Sequence, residues 1–118
     1  MANPNIVNVT TIYGNTGAIT VGTSYANVVQ NPSSSGAVYK VNSLVITNAC
    51  TSPISVTVQY NNANANTNYS ANVGIPTNAS LVVMGKDTPL YLLENQSIQV
   101  AATVGSYITA IASWEQLS

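Results

Sequence analysis

The sequence predicts an all-β protein, a single antiparallel β-sandwich of about eight short strands over residues 1–118, either Ig-like or jelly-roll. Apolar and polar residues alternate with a period of two, which is the pattern of strands with one buried face. Turn-forming residues interrupt this alternation roughly every ten residues. β-branched Val, Ile and Thr make up 37 of the 118 residues and suit a pleated surface. The pattern does not decide between the two topologies.

The amino-terminal part of the chain predicts four strands. These are a Thr-rich group at residues 7–13, 19–21 and 25–29, and a longer run at residues 38–47. Gly14-Asn15 and the Pro/Ser-rich residues 31–36 are predicted to be turns, because Gly, Asn, Pro and Ser favour turn geometry.

The remaining strands are predicted from residue 54 onward. In residues 54–60, Ile54, Val56, Val58 and Tyr60 fall on one face, and residues 97–103 and 107–114 alternate in the same way. Trp114 shares the apolar side of the last run. A weaker alternation places Tyr69, Ala71, Val73 and Ile75 on one face, with Gly74 interrupting it. Two short runs, 81–84 and 90–93, complete the set.

Residues 61–68, Asn-Asn-Ala-Asn-Ala-Asn-Thr-Asn, predict a long exposed loop. The segment has nothing large to bury, and Asn favours turns and tolerates left-handed backbone geometry. We expect a hairpin tip in solvent. The alternative is a contact arm that becomes ordered against a neighbouring subunit.

Charged residues are nearly absent. The chain has Lys40, Lys86, Asp87, Glu94 and Glu115, no histidine and no arginine, while Asn, Ser and Thr make up 42 residues. An average soluble domain is about 25% charged. Two cations are too few to bind nucleic acid or an anionic membrane surface. The near absence of titratable groups also makes the chain a poor candidate enzyme.

No candidate site emerges from the remaining reactive residues. Asp87 and Glu94 flank residues 90–93 and could form a glycosidase pair only if the topology brought them together. Cys50 is the single cysteine and has no histidine to activate it. The sequence lacks the clusters of His and Cys that bind zinc and the clusters of carboxylates that bind calcium. We therefore predict no catalytic, cofactor-binding or metal-binding residues.

Two kinds of surface recognition remain as alternatives. Thr-rich strands could form an ice-binding face, but the Thr residues follow no fixed period in the sequence. The seven tyrosines and Trp114 could stack on sugars, although their even spread favours packing in the core and at its rim.

A nearly uncharged β domain tends to associate, because little repulsion keeps the copies apart. Asn, Ser and Thr can form hydrogen bonds in an interface without the desolvation cost of buried ions. We expect much of the surface to contact other protein in a large, durable assembly, in contacts that change little with salt.

Several blocks resemble the small accessory virion proteins of tailed phages that infect marine cyanobacteria. They are TIYGN at 11–15, VYKVNSLVITN at 38–48, LVVMGKDTPLY at 81–91, ENQSIQV at 94–100 and SWEQLS at 113–118. The blocks cover around a third of the chain. The chain departs from the family in its Asn-rich residues 61–68 and its fewer charges.

The resemblance implies a β-sandwich protein of the virion, most directly a capsid decoration or cement protein that binds the major capsid protein or other virion subunits. It implies no enzymatic activity and no cofactor. A homo-oligomer is expected, because most oligomers are symmetric assemblies of one chain. A neck, tail or baseplate protein and a glycan-binding module are the alternatives. The start of the chain has no signal-peptide pattern, so we expect synthesis and assembly in the host cytoplasm.

Overall fold

A computed structural model describes residues 12–85 and 90–117 and contains nine β-strands in that part of the chain. The strands are β1 (Ile12–Val21), β2 (Ala26–Asn31), β3 (Val38–Asn48), β4 (Ile54–Asn61), β5 (Asn66–Ile75), β6 (Ser80–Met84), β7 (Leu90–Leu92), β8 (Gln96–Ala102) and β9 (Ile108–Leu117).

The strands form two antiparallel sheets that pack face to face. The five-stranded sheet has the order β1-β9-β3-β6, with β7 also paired to β3, and the four-stranded sheet has the order β2-β8-β4-β5. Residues 44–47 of β3 pair with β6, and residues 39–41 pair with β7. The strands β6 and β7 are therefore two successive parts of one sheet edge.

If β6 and β7 are counted as one edge strand, the described part of the sandwich has eight strands. They pair from the two ends of the chain inward, like the two arms of one long hairpin. The first strand pairs with the last, β1 with β9, and the second with the second-last, β2 with β8. Pairing continues inward through β3 with β6 and β7 to β4 with β5. A double sheet of eight strands wound in this way is a jelly roll. The predicted β-sandwich is confirmed, and the topology is the jelly roll.

The core lies between the two sheets. On β4, Ile54, Val56 and Val58 are buried as the alternation predicts. The predicted inner residues are likewise buried on β8 and in the first half of β9: Ile98, Val100, Ala102, Ile108, Ala110 and Ala112. The largest fully buried side chains come from both sheets and include Leu44, Ile46, Ile54, Ile75, Met84, Leu92, Ile98 and Ile108. Burying each such side chain contributes about 1.5–3 kcal/mol to folding.

The predicted turn at Gly14-Asn15 is wrong. Both residues lie inside β1, opposite Glu115 and Trp114 of β9. The long, regular β9 supplies a partner for every residue of β1, so local turn preference is overridden. Residues 12–13 of the first predicted strand and residues 19–21 of the second therefore belong to the single strand β1. Residues 7–11 lie outside the described part of the chain.

The predicted face of β5 is also wrong in its first half. Tyr69 and Ala71 are exposed, whereas Val73 is half-buried and Ile75 is buried. The pairing of β5 with β4 shifts register twice, and Asn72 adopts a positive φ of 53°. A bulge of this kind inserts an extra residue and reverses the faces beyond it.

The Asn-rich segment forms a shorter loop than predicted. Asn61 ends β4 and Asn66 begins β5, so residues 62–65 alone form the turn. The expected hairpin tip is present, but residues 66–68 belong to an exposed strand.

A fully buried asparagine closes each end of the sandwich. The Nδ2 group of Asn31 on β2 donates hydrogen bonds to the carbonyl oxygens of Ala37 and Leu92, at 2.8 and 2.9 Å. At the opposite end, Nδ2 of Asn48 on β3 donates to the carbonyl oxygen of Ile75, at 3.0 Å. Each side chain links one sheet to the other.

Candidate interaction surfaces

The outer face of the five-stranded sheet, called here the hydroxyl face, carries rows of hydroxyl and aliphatic side chains. Strand pairing places four hydroxyl residues side by side across the sheet: Thr20, Thr109, Thr47 and Ser80. The hydroxyls of Thr47 and Ser80 lie 3.0 Å apart. Successive residues of a strand point to opposite faces, so the next residues on this face lie two positions along each strand.

The second row of the hydroxyl face is aliphatic. It consists of Ala18, Ile111, Val45 and Val82, in register across four strands. Ile111 is 42% exposed and Val82 is 65% exposed. A third row, Thr16, Ser113 and Ser43, is again made of hydroxyls. The upper part of this face is therefore uncharged, with an aliphatic row between two hydroxyl rows.

The outer face of the four-stranded sheet, called here the amide face, has a different chemistry. Its central row crosses all four strands as Asn27, Gln99, Gln59 and Asn68. Gln99 donates to the side-chain oxygen of Asn27 at 3.2 Å, and Gln59 donates to that of Asn68 at 3.0 Å. The side chains form a lateral ladder of amides.

A second row of the amide face contains Gln30, Ser97, Asn61 and Asn66, of which Ser97 is buried. In the ladder, Oε1 of Gln59 is buried and accepts no hydrogen bond from the described residues. Within those residues this face carries no charged side chain, since Lys40 and Glu115 lie on the hydroxyl face and Glu94 lies in a loop. The amide face and the upper part of the hydroxyl face are therefore uncharged, and the described charges of the hydroxyl face are Lys40 and Glu115, which lie opposite each other.

The described carboxylates serve local structure. Glu115 lies opposite Lys40 in the pairing of β9 with β3 and accepts a hydrogen bond from Asn42 at 2.9 Å. Glu94 accepts one from the backbone N–H of Gly36 at 2.8 Å. Lys86 and Asp87 lie outside the described residues, so the pairing of Asp87 with Glu94 stays untested.

Cys50 is a free, half-buried cysteine whose backbone N–H donates to the Asn48 side chain. In residues 12–85 and 90–117, no group of three or more His, Cys, Asp or Glu is placed to hold a metal ion. No helix in those ranges is long and apolar enough to cross a membrane.

The aromatic residues divide into a packed group and an exposed group. Tyr39 stacks on Trp114 with ring centroids 6.2 Å apart, and the Tyr60 hydroxyl lies 2.8 Å from Gln96 Oε1. The exposed tyrosines are Tyr13, Tyr25, Tyr69, Tyr91 and Tyr107. Each of these five belongs to a different strand or loop, so the fold does not gather them on one element.

The sequence alone does not predict the rows of aligned side chains on the hydroxyl and amide faces. Thr20, Thr47 and Thr109 are far apart in the chain and follow no common spacing, but strand pairing aligns them. Alternation within each strand places them on a polar face. Only the order and register of the strands show that these polar faces coincide.

No protein-family model matches the chain, and a search of curated proteins finds no match to its sequence. Solved structures resemble it in fold, among them two that cover about nine-tenths of this chain. One is a chain of the acid-stable capsid structure of the Helicobacter pylori bacteriophage KHP30, with a TM-score of 0.56 and 10% identity, covering 93% of this chain and 90% of that one. The other is a chain of Bacillus endospore appendages, a family of disulfide-linked pili, with a TM-score of 0.53 and 14% identity, covering 92% and 88%. At these identities the likeness shows a shared fold.

Proposed function

We propose that this protein is a structural subunit of a bacteriophage virion, most directly a decoration or cement protein bound to the capsid shell, with no catalytic activity of its own. The observation that carries the proposal is a jelly-roll core whose amide face is uncharged in the described residues and whose hydroxyl face is uncharged apart from the facing pair Lys40 and Glu115. Such faces are suited to permanent contact with other protein, because amides and hydroxyls form hydrogen bonds there without the cost of burying ions.

Both structural neighbours support an assembly role. One belongs to a phage capsid and the other to a pilus-like appendage, so each is part of a larger structure. The resemblance in sequence blocks to accessory virion proteins points in the same direction. A phage of marine cyanobacteria is the finer form of the proposal and rests on that resemblance alone.

The hydroxyl face is the surface we propose for contact with the shell. Its aliphatic row exposes Ile111 and Val82, and burying such side chains is the main favourable term in association. The strands β1, β9 and β3 have 10, 10 and 11 residues, and β6 and β7 add 5 and 3 at the edge. At a spacing of about 4.8 Å and a rise of about 3.3 Å per residue they cover roughly 600 Å². A standard interface takes about 800 Å² from each partner, so this face together with its margins is large enough.

Binding to shells that lack the protein tests the proposal. The wild-type protein should sediment with such shells and stay bound at about 1 M salt, where the Debye length is only about 3 Å. Ile111→Lys should abolish co-sedimentation, because it places an unpaired charge in the aliphatic row. Gln99→Lys is the matched control on the amide face and should bind as the wild type does.

Release of the wild-type protein by moderate salt would contradict the proposed neutral interface. Absence of the protein from purified particles by mass spectrometry would contradict a virion role altogether. Imaging of the particle would distinguish a position on the capsid from a position in the neck, tail or baseplate, which are the nearest alternatives within the virion.

A glycan-binding module is the alternative from another class. In the sequence, this alternative rests on the seven tyrosines and Trp114, which could stack on sugars. The five exposed tyrosines each lie on a different strand or loop of the fold. Specific binding to an array of host polysaccharides would favour this alternative over a purely cementing role.

A further inference from the structure

The four sheet edges differ in how they are protected against pairing with another chain. In the described residues, β2 has six residues and a register shift, β5 has two register shifts and β6 and β7 are short. Bulges and short strands are two of the ways in which proteins block edge-to-edge pairing. Three of the edges therefore carry a protective feature.

The strand β1 (Ile12–Val21) lacks all of them. It pairs with β9 through ten consecutive residues without a register shift, and its sequence IYGNTGAITV has no charge and no proline. Ile12 is 61% exposed and Tyr13 is 56% exposed. Long, regular, uncharged edges of this kind are templates for adding a strand.

We propose that the β1 edge pairs with the β1 edge of a second copy of this chain, antiparallel and about a two-fold axis at Ala18. In this register Ala18 faces the partner's Ala18, and Thr16 faces the partner's Thr20. The aliphatic row of the hydroxyl face then continues from one copy into the other, and so do its hydroxyl rows. The two five-stranded sheets become one continuous sheet.

Other antiparallel registers fit less well. Paired residues must share a face, because a shift of one position turns every side chain to the opposite side. A shift of two positions places Thr16 opposite the partner's Ala18 and breaks both kinds of row. The axis at Ala18 matches Thr with Thr and Ala with Ala, so the second copy is the occupant that the strand itself complements.

The oligomeric state of the purified protein tests this pairing, independently of any role in a virion. Sedimentation velocity should give twice the chain mass of 12.2 kDa for the wild type. Ala18→Lys should give the monomer, because like charges directly opposite each other are destabilising. Val82→Lys is the matched control, in the same aliphatic row but at the far edge of the sheet, and should remain a dimer.

Charge complementation checks that position 18 meets its own copy. Ala18→Lys and Ala18→Glu should each be monomeric, and an equimolar mixture of the two should recover the dimer. A mixture that stays monomeric, while circular dichroism shows both variants folded, would overturn the proposed axis.

Disulfide trapping gives a second measurement that does not depend on dissociation. Opposed residues in an antiparallel pair have Cα atoms about 4.5–5.5 Å apart, within the range of about 4.4–6.8 Å that a disulfide spans. In a Cys50→Ser background, Ala18→Cys should therefore oxidise to a linked dimer, whereas Val82→Cys should not.

A wild-type protein that is monomeric at every concentration would overturn the pairing with a second copy. If Ala18→Lys were then lost from particles while the wild type remained, the edge would be occupied by a different virion protein. That result would refute this inference and leave the proposed virion role intact.

Discussion

Asn48 shows how a single buried amide can hold the end of a jelly roll together. Its Nδ2 group lies 3.1, 3.0 and 3.3 Å from the carbonyl oxygens of Ser52, Ile75 and Pro76, and its Oδ1 accepts the N–H of Cys50 at 2.8 Å. These contacts join the end of β3 to the segment before β4 and to the end of β5. A polar side chain that is fully satisfied in the interior stabilises one arrangement of these segments.

Removing this side chain should destabilise the fold strongly. Asn48→Ala removes the acceptor of the Cys50 N–H and the side-chain donor to the carbonyl oxygens of Ser52 and Ile75, so we expect the free energy of unfolding to fall by about 2–3 kcal/mol. Urea denaturation measures the change. Asn27→Ala, an exposed amide in β2, is the control and should change stability by no more than about 0.5 kcal/mol. A comparable loss in both variants would show that burial of Asn48 is not the cause.

The hairpin between β4 and β5 explains the Asn-rich sequence at the level of an element. Asn61 Oδ1 accepts the N–H of Ala63 at 2.8 Å, and Asn62 Oδ1 accepts those of Asn64 and Ala65 at 3.0 and 2.8 Å. Such side-chain bonds to the following backbone are the reason that Asn favours turns. These two asparagines are therefore used within the hairpin, and whether the tip also contacts a neighbouring subunit stays a prediction.

Backbone strain at the tip of this hairpin predicts that two Ala-to-Gly substitutions change the free energy of unfolding in opposite directions. Ala63 adopts a φ of 80°, which costs a residue with a Cβ about 1–2 kcal/mol. Ala63→Gly should therefore raise the free energy of unfolding by about 0.5–1 kcal/mol, after the entropic cost of glycine. Ala65 has no positive φ, so Ala65→Gly should lower it by about 0.4–1 kcal/mol. Thermal melts of both variants check this, and shifts in the same direction would refute it.

For the whole molecule, the near absence of titratable groups has a thermodynamic consequence. Stability depends on pH only through protons bound differently by the folded and unfolded states. Histidine is the side chain that ordinarily changes charge between about pH 5 and 8, and the chain has none. A chain of this composition should therefore keep its stability nearly constant over this range of pH.

The melting temperature should accordingly change by less than about 2 °C between about pH 5 and 8. Val45→His is a useful control, because it introduces one titratable group at a half-buried position of the hydroxyl face. Burial disfavours the charged imidazole and lowers its pKa, so the stability of this variant should fall as the pH is lowered. A wild-type melting temperature as sensitive to pH as that of the variant would contradict the expectation.

Much of the fold could be predicted because a strand with one buried face has apolar residues at every second position of its own sequence. The alternation of Ile54, Val56 and Val58 identified β4 and its inner face. The same reasoning failed at Tyr69, because the bulges in β5 reverse the faces and arise from pairing with β4. It failed at Gly14-Asn15 because β9 supplies hydrogen-bond partners that outweigh a turn preference.

The sequence by itself determined that this is a β-sandwich with a neutral surface, because composition and a period of two are properties of neighbouring residues. Only the tertiary structure decided the jelly-roll topology and the rows of the hydroxyl and amide faces. Thr20 and Thr109 are 89 positions apart and become neighbours through strand pairing. Topology and register depend on contacts between distant segments, and no local pattern encodes which segments will meet.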